Sequence, residues 1–197
     1  MTCTIRPVRE TDAPYLAAIY APYIDTPITF ETTAPDAAEM CSRIRRVTAT
    51  HPWLVCEKDG AVVGYAYAHK YRTRAAFDWT SELSVYMAQD ERGRGLGRVL
   101  YGALLELLKR QGFTKAYGLV STPNAPSERL HLSCGFKELY TLTNCGWKLG
   151  EWRNLTYFEY DIAPFVPNPP HPINYDQLEP DFIDKVCEDY SRKICEA

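Results

Sequence analysis

At 197 residues, 46% of them hydrophobic, the chain can bury one substantial core with an appendage, whereas two equal domains would each be small. A formal charge of -3 and a pI near 5.8 exclude nucleic acid as the main partner, because neutralising phosphates calls for a basic face. No apolar run reaches membrane-spanning length.

Met1 to Glu10 carries Arg6, Arg9 and Glu10 with no apolar core, so a secretory signal is not expected. Thr4 to Val8 reads as a short strand. Thr11 or Asp12 caps a helix through Ile24, with Pro14 tolerated in its first turn and Pro22 expected to fray or end it early. Pro27 makes Thr26 to Phe30 an extended connection. A second helix is expected over Asp36 to Thr48. Strands follow over Trp53 to Glu57, Val62 to His69 and Phe77 to Met87, the first two joined by the Asp59-Gly60 turn signal. A long helix runs from Gly95 or Leu96 to Gln111, its apolar face carrying Leu100, Leu104, Leu107 and Leu108 and its stop supplied by Gly112. Lys115 to Val120 is a strand, Ser127 to Ser133 a helix, and Lys137 to Thr143 and Leu155 to Asp161 are strands. After Ile162, five prolines from Pro164 to Pro172 stiffen a linker. Gln177 to Cys195 then reads as an amphipathic helix with Phe182, Ile183, Val186, Tyr190 and Ile194 in its stripe, expected to pack on its own domain or on a neighbouring subunit.

Seven cysteines (Cys3, Cys41, Cys56, Cys134, Cys145, Cys187, Cys195) form no C-x-x-C pair, which fits reduced thiols and a cytoplasmic setting. The four histidines, His51, His69, His131 and His171, are scattered without ligand spacing, so no metal is expected.

Asp90 to Arg98 lies between a strand and a helix. Its glycines, Gly93, Gly95 and Gly97, permit a tight turn and close approach of a ligand, while the amides and positive end of the following helix face an anion. Arg92, Arg94 and Arg98 add charge. There is no Lys-Ser/Thr ending of a P-loop and no opening strand of a dinucleotide-binding fold, so a different phosphate ligand is indicated.

Arg92-x-x-Gly95-x-Gly97, followed downstream by Asn124, the Glu128 to Ser133 segment and Gly135-Phe136, resembles the GNAT superfamily of acetyl-CoA-dependent N-acetyltransferases. From Ile5 to about Ile162 the chain is similar to its phosphinothricin N-acetyltransferase branch, through Pro52-Trp53-Leu54-Val55, Phe77-Asp78-Trp79-Thr80-Ser81-Glu82, Gln111-Gly112-Phe113 and Asn144-Cys145-Gly146-Trp147-Lys148. The Asp-Trp-Thr-x-Glu run discriminates that branch. The resemblance implies an α/β GNAT fold, a mixed central twisted sheet with an antiparallel first half, splayed at the cofactor site and flanked by helices. It divides the chain into a 1–162 acetyltransferase domain, a 163–176 Pro-rich linker and a 177–197 helical extension.

The same resemblance assigns Glu82 as general base and makes His131, at the position where many relatives carry a Tyr, a candidate proton donor for the leaving thiolate. Val85, Tyr86 and Met87 are expected to meet acetyl-CoA through their backbone, Arg92, Gly93, Arg94, Gly95, Leu96, Gly97 and Arg98 to hold its pyrophosphate, and Asn124 its pantetheine arm. Arg72 and Arg74 are candidates for gripping an acceptor carboxylate, with Phe30 and Phe77 as apolar walls. Arg72 and Phe77 depart from the Lys and Tyr usual in the branch, which bears on the acceptor more than on the reaction. The expected activity is acetyl transfer from acetyl-CoA to the amino group of a small amino acid or analogue such as phosphinothricin or methionine sulfoximine, by a homodimer. The alternatives are another amine acceptor (a polyamine, an aminoglycoside or a protein N-terminus) or a non-catalytic acyl-CoA-binding scaffold.

Overall fold

A computed structural model describes residues 3–195, apart from the Cys195 side chain, so the expectation for that thiol lies outside the described residues. Its centre is one seven-stranded sheet in the order β1-β2-β3-β4-β5-β7-β6. β1 (Cys3–Pro7), β2 (Trp53–Lys58), β3 (Ala61–Lys70) and β4 (Thr80–Met87) run antiparallel to their neighbours. β4 then pairs parallel with β5 (Lys115–Thr122), and the hairpin of β6 (Lys137–Lys148) and β7 (Glu151–Asp161) closes the far edge through β7. The antiparallel first half and mixed second half agree with the expected α/β class.

Alternation along the strands divides the sheet into two faces. Leu83 and Met87 of β4, with Leu54, Ala66, Ala116 and Phe158, face α3 (Leu96–Gln111), whose Leu100, Leu104, Leu107 and Leu108 are fully buried. The opposite residues, among them Trp53, Tyr65 and Tyr86, pack against Leu16 and Tyr20 of α1 (Ala13–Ile24) and Met40 and Ile44 of α2 (Ala37–Thr48). Asp36 caps α2 by accepting from the Glu39 amide, and Gly112 ends α3 at φ +98°, donating back to the Leu108 and Lys109 carbonyls.

Three expectations are corrected. Pro22 does not end α1, which continues to Ile24; Tyr23, one residue on, is held by hydrogen bonds to both backbone groups of Met87, and this anchor outweighs the one amide bond that proline forfeits. Phe77–Trp79 is not strand. Ala75–Phe77 forms a 3-10 turn that folds Phe77 back against Tyr71, while the Trp79 indole donates to the Pro170 carbonyl at 2.7 Å. The β6–β7 hairpin is also longer than expected, because Leu149 and Gly150, at φ +53° and +75°, make a two-residue turn without the usual Asn-Gly pair.

The tail packs on its own domain. Ile173 exchanges hydrogen bonds with Gln111, Trp79 stacks on His171, and α5 (Pro180–Cys195) buries Val186 and Cys187 in the α3-side core. Tyr190 of α5 lies over Gly102, where an added Cβ would sit 2.4 Å from its ring.

Candidate active site

The β4–β5 pairing covers Thr80 to Leu83 against Lys115 to Gly118 and stops there. Beyond Leu83 and Gly118 the two strands part, and a cavity of about 500 Å³ opens beside the parting. It is lined by Val85 and Met87 of β4, by Arg92 to Arg98, and by Asn124 and Leu130 of the opposite wall. Because the Ala88 amide donates to the Val63 carbonyl and antiparallel bonding alternates, the amides of Ser84 and Tyr86 face β3 while those of Val85 and Met87 face the side that β5 has left.

The turn at the cavity's end takes the shape expected of an anion cradle. Gly93 and Gly95 stand at φ +74° and +77°, conformations that side chains disfavour, and nothing lies within 4 Å of where a Cβ would project. Gly95 is the residue before α3, so the first amides of that helix point into the cradle. The Arg92 guanidinium lies 4.5 Å from the Tyr23 ring centroid, and Arg94 pairs with Glu91 at 3.2 Å. Asn124 caps α4 (Ala125–Ser133), its side chain accepting from the Ser127 amide, so a cap and a cavity wall are one residue.

Two of the expected cofactor contacts change. The Tyr86 amide faces β3 and its ring packs among Tyr20, Tyr23 and Tyr65 on the other side of the sheet. The Met87 amide is taken by the Tyr23 hydroxyl at 3.0 Å. Val85 is left as the strand amide directed at the open side. Leu96 is buried, which restricts it to a backbone contribution.

Glu82 stands one residue before the parting, on the face opposite α3, with about a fifth of its side chain exposed. Opposite it in the β3–β4 register is His69, whose Nε2 lies 3.6 Å from Glu82 Oε1. Tyr117 is its neighbour on β5, and Tyr117, Tyr71 and Phe77 continue as one aromatic wall with ring centroids 4.6 and 5.8 Å apart. Arg72 lies over the Tyr71 ring at 4.9 Å, and its charge reaches Glu82. Arg74 is exposed where the 3-10 turn begins. Phe30 is 37% exposed and covers Gly146 of the hairpin, where Lys148, itself buried, donates to the Thr29 carbonyl at 2.6 Å.

His131 belongs to the other face. It is 2% exposed, stacked on Phe158 and set against Gly118 at the parting. Its Nδ1 is 2.8 Å from the Ser127 carbonyl, which can only accept, so the ring proton sits there. Burial pushes its pKa down to about 4, which leaves Nε2, 3.4 Å from the Tyr101 hydroxyl, without a proton at neutral pH.

His69, Tyr23, Tyr71 and Tyr117 were not singled out from sequence. Tyr23 and Tyr117 gave no signal beyond ordinary helix and strand periodicity, and His69 meets Glu82 only once the register across the intervening turn is fixed. Among the described residues no group of three or more His, Cys, Asp or Glu side chains could hold a metal ion, and no helix is long and apolar enough to cross a membrane.

Residues 16–136 match the acetyltransferase (GNAT) family model. The chain is 35% identical over 170 residues to the phosphinothricin N-acetyltransferase of Streptomyces viridochromogenes, covering 86% of this chain and 92% of that one. To the phosphinothricin N-acetyltransferase of Alcaligenes faecalis it is 40% identical over 153 residues, 76% of this chain and 78% of the relative. An L-methionine sulfoximine/L-methionine sulfone acetyltransferase of Pseudomonas paraeruginosa is 33% identical, over 83% of this chain and 97% of its own. Among solved structures, a GNAT superfamily phosphinothricin acetyltransferase from Sinorhizobium meliloti, determined in complex with AcCoA, superposes with a TM-score of 0.83 at 28% identity, covering 90% of this chain and 98% of the other.

Proposed function

The chain belongs to the GNAT family of acetyltransferases, and from that premise we propose that it transfers acetyl from acetyl-CoA to the amino group of a small amino acid or analogue, with phosphinothricin and methionine sulfoximine as the first acceptors to test. The observation that carries the reading is the parting of β4 and β5 beyond Leu83 and Gly118, with the Val85 amide on the open side and Glu82 one residue before it.

The residues fit acetyl-CoA. The glycine cradle is open where a diphosphate would lie, Arg92, Arg94 and Arg98 surround it, and the cavity continues along β4 as far as Val85. Bound there, the co-substrate supplies a thioester carbonyl open to attack by an amine. The chain's own contributions are positional and electrostatic. Val85 offers its amide to the developing negative charge on an acyl oxygen. Glu82 accepts a proton from the acceptor's ammonium, which is mostly charged at neutral pH and cannot attack until it loses one. Arg72 faces the acceptor carboxylate, with Arg74 farther out and Phe77 and Phe30 as apolar walls. His131 is not given the thiolate's proton, since its Nε2 carries none; its place is to pack the parting through Gly118 and Tyr101.

A homodimer is part of the same reading. The outer hairpin exposes Tyr140, Leu142, Trp147 and Trp152, with Trp147 and Trp152 both more than half exposed, an apolar surface that a second copy would cover. A cytoplasmic setting belongs to the reading too, in keeping with the free thiols of Cys3, Cys41, Cys56, Cys134, Cys145 and Cys187.

The test is release of free thiol from acetyl-CoA in the presence of phosphinothricin, methionine sulfoximine and a panel of small amino acids. Acceptor-dependent release is expected. No release with any of them would remove the acceptor assignment.

A further inference from the structure

We propose that His69 is a positioning residue for Glu82 and the exit through which the proton released in each turnover leaves the site. The inference rests on the reading of Glu82 as general base. Its ground is geometric: His69 and Glu82 face each other across the β3–β4 ladder, with Nε2 3.6 Å from Oε1. His69 Nδ1 lies 3.3 Å from the Lys70 carbonyl, which can only accept. The neutral ring therefore keeps its proton on Nδ1 and turns the Nε2 lone pair towards the carboxyl group. That lone pair faces Glu82 across the ladder as an acceptor for the proton the carboxyl group takes up in each turnover.

The overall chemistry requires such a carrier. An ammonium and a thioester become an amide, a thiol and one free proton: the N–C bond forms, the C–S bond breaks, and nitrogen loses two protons. One of these goes to sulfur. The other, taken by Glu82, has to reach solvent before the next cycle. His69, about a third exposed, receives it at Nε2 and gives it to water.

The surroundings leave this role to His69. Tyr67 of β3 packs beside its ring at 5.6 Å between centroids, fixing its plane. Lys70 is engaged by Asp78 at 2.8 Å, and Arg72 lies over Tyr71 with its charge reaching Glu82, so among the described residues neither cation makes an ion pair with the Glu82 carboxylate. His51 is buried and held neutral, its pKa pushed down to about 4 by desolvation first and by the charges of His69 and Lys70 after it, so it places no charge beside His69.

With acetyl-CoA and methionine sulfoximine, His69→Ala is expected to lower kcat about tenfold with both KM values nearly unchanged, and added imidazole to restore most of the lost rate. His69→Gln, which fills the space without carrying a proton, is expected to lose as much and to resist rescue. Full activity of His69→Ala, a loss confined to KM, or no response to imidazole overturns the proposal. Glu82→Gln separates the two readings: normal turnover in that variant removes the base itself, whereas a slow Glu82→Gln beside a fully active His69→Ala removes only the role of His69. Independently of any acceptor, nitrogen-15 spectra of the resting protein in alkaline buffer should show His69 protonated on Nδ1, with an Nε2 resonance that moves in Glu82→Gln. The opposite tautomer, or an unresponsive ring, overturns the proposal equally.

Discussion

Burial decides the behaviour of two histidines more than their chemistry does. His51 and His131 are both held neutral, with pKa values pushed from 6.5 down to about 4 by desolvation. An unfolded chain binds those protons from about pH 6.5 and the native state only near pH 4, so the native state loses ground as pH falls through that window and is unaffected above it. The upper bound is about 3 kcal/mol per histidine. Urea midpoints should therefore fall steadily from neutral pH to about pH 4.5, and replacing both histidines by Phe should flatten the slope; a midpoint insensitive to pH in the unmodified protein would count against it. Tyr23 offers a second check. Its hydroxyl serves both backbone groups of Met87 and the Nε of Arg92. Tyr23→Phe is expected to cost about 1–3 kcal/mol in denaturant unfolding and, by loosening Arg92, to raise the acetyl-CoA KM several-fold.

Elements were legible where local chemistry fixed them. The capped helix after Asp36 and the helix ending at Gly112 stand within a residue of where the sequence put them, since a side-chain cap and a left-handed glycine act over one turn. Misreadings fell where distant partners intervene. Trp79 belongs to the run that discriminates the phosphinothricin branch, yet its indole is spent on the tail, bonded to Pro170 and stacked on His171. Trp79→Phe should lower stability by about 1–2 kcal/mol and make Pro170 to Ile173 more susceptible to proteolysis. Turnover at saturating substrates should be little changed; equal protease resistance would show that the contact does not hold the segment.

At the scale of the molecule, two edges are treated differently. β1 is backed by α5, whose Ser191 hydroxyl accepts from the Ile5 amide at 2.7 Å, whereas the β6–β7 hairpin at the other edge leaves large apolar side chains in water. Sedimentation of the 22.5 kDa chain should give twice that mass, and Trp147→Glu with Trp152→Glu should give the single mass. A monomer for the unmodified protein would remove the dimer and leave the hairpin as a bare surface.

The sequence by itself determined the α/β class, the glycine cradle and the place of Glu82 in the chain, because a turn, a helix cap and a short motif are written in neighbouring residues. Only the tertiary structure decided that β4 and β5 part after Leu83 and Gly118, that Val85 rather than Met87 turns a free strand amide to the opening, and that His131 and Glu82 lie on opposite faces. It alone set His69 against Glu82. Strand register, and the burial that removes a proton from an imidazole, arise from contacts between residues far apart in the chain, and no local pattern encodes them.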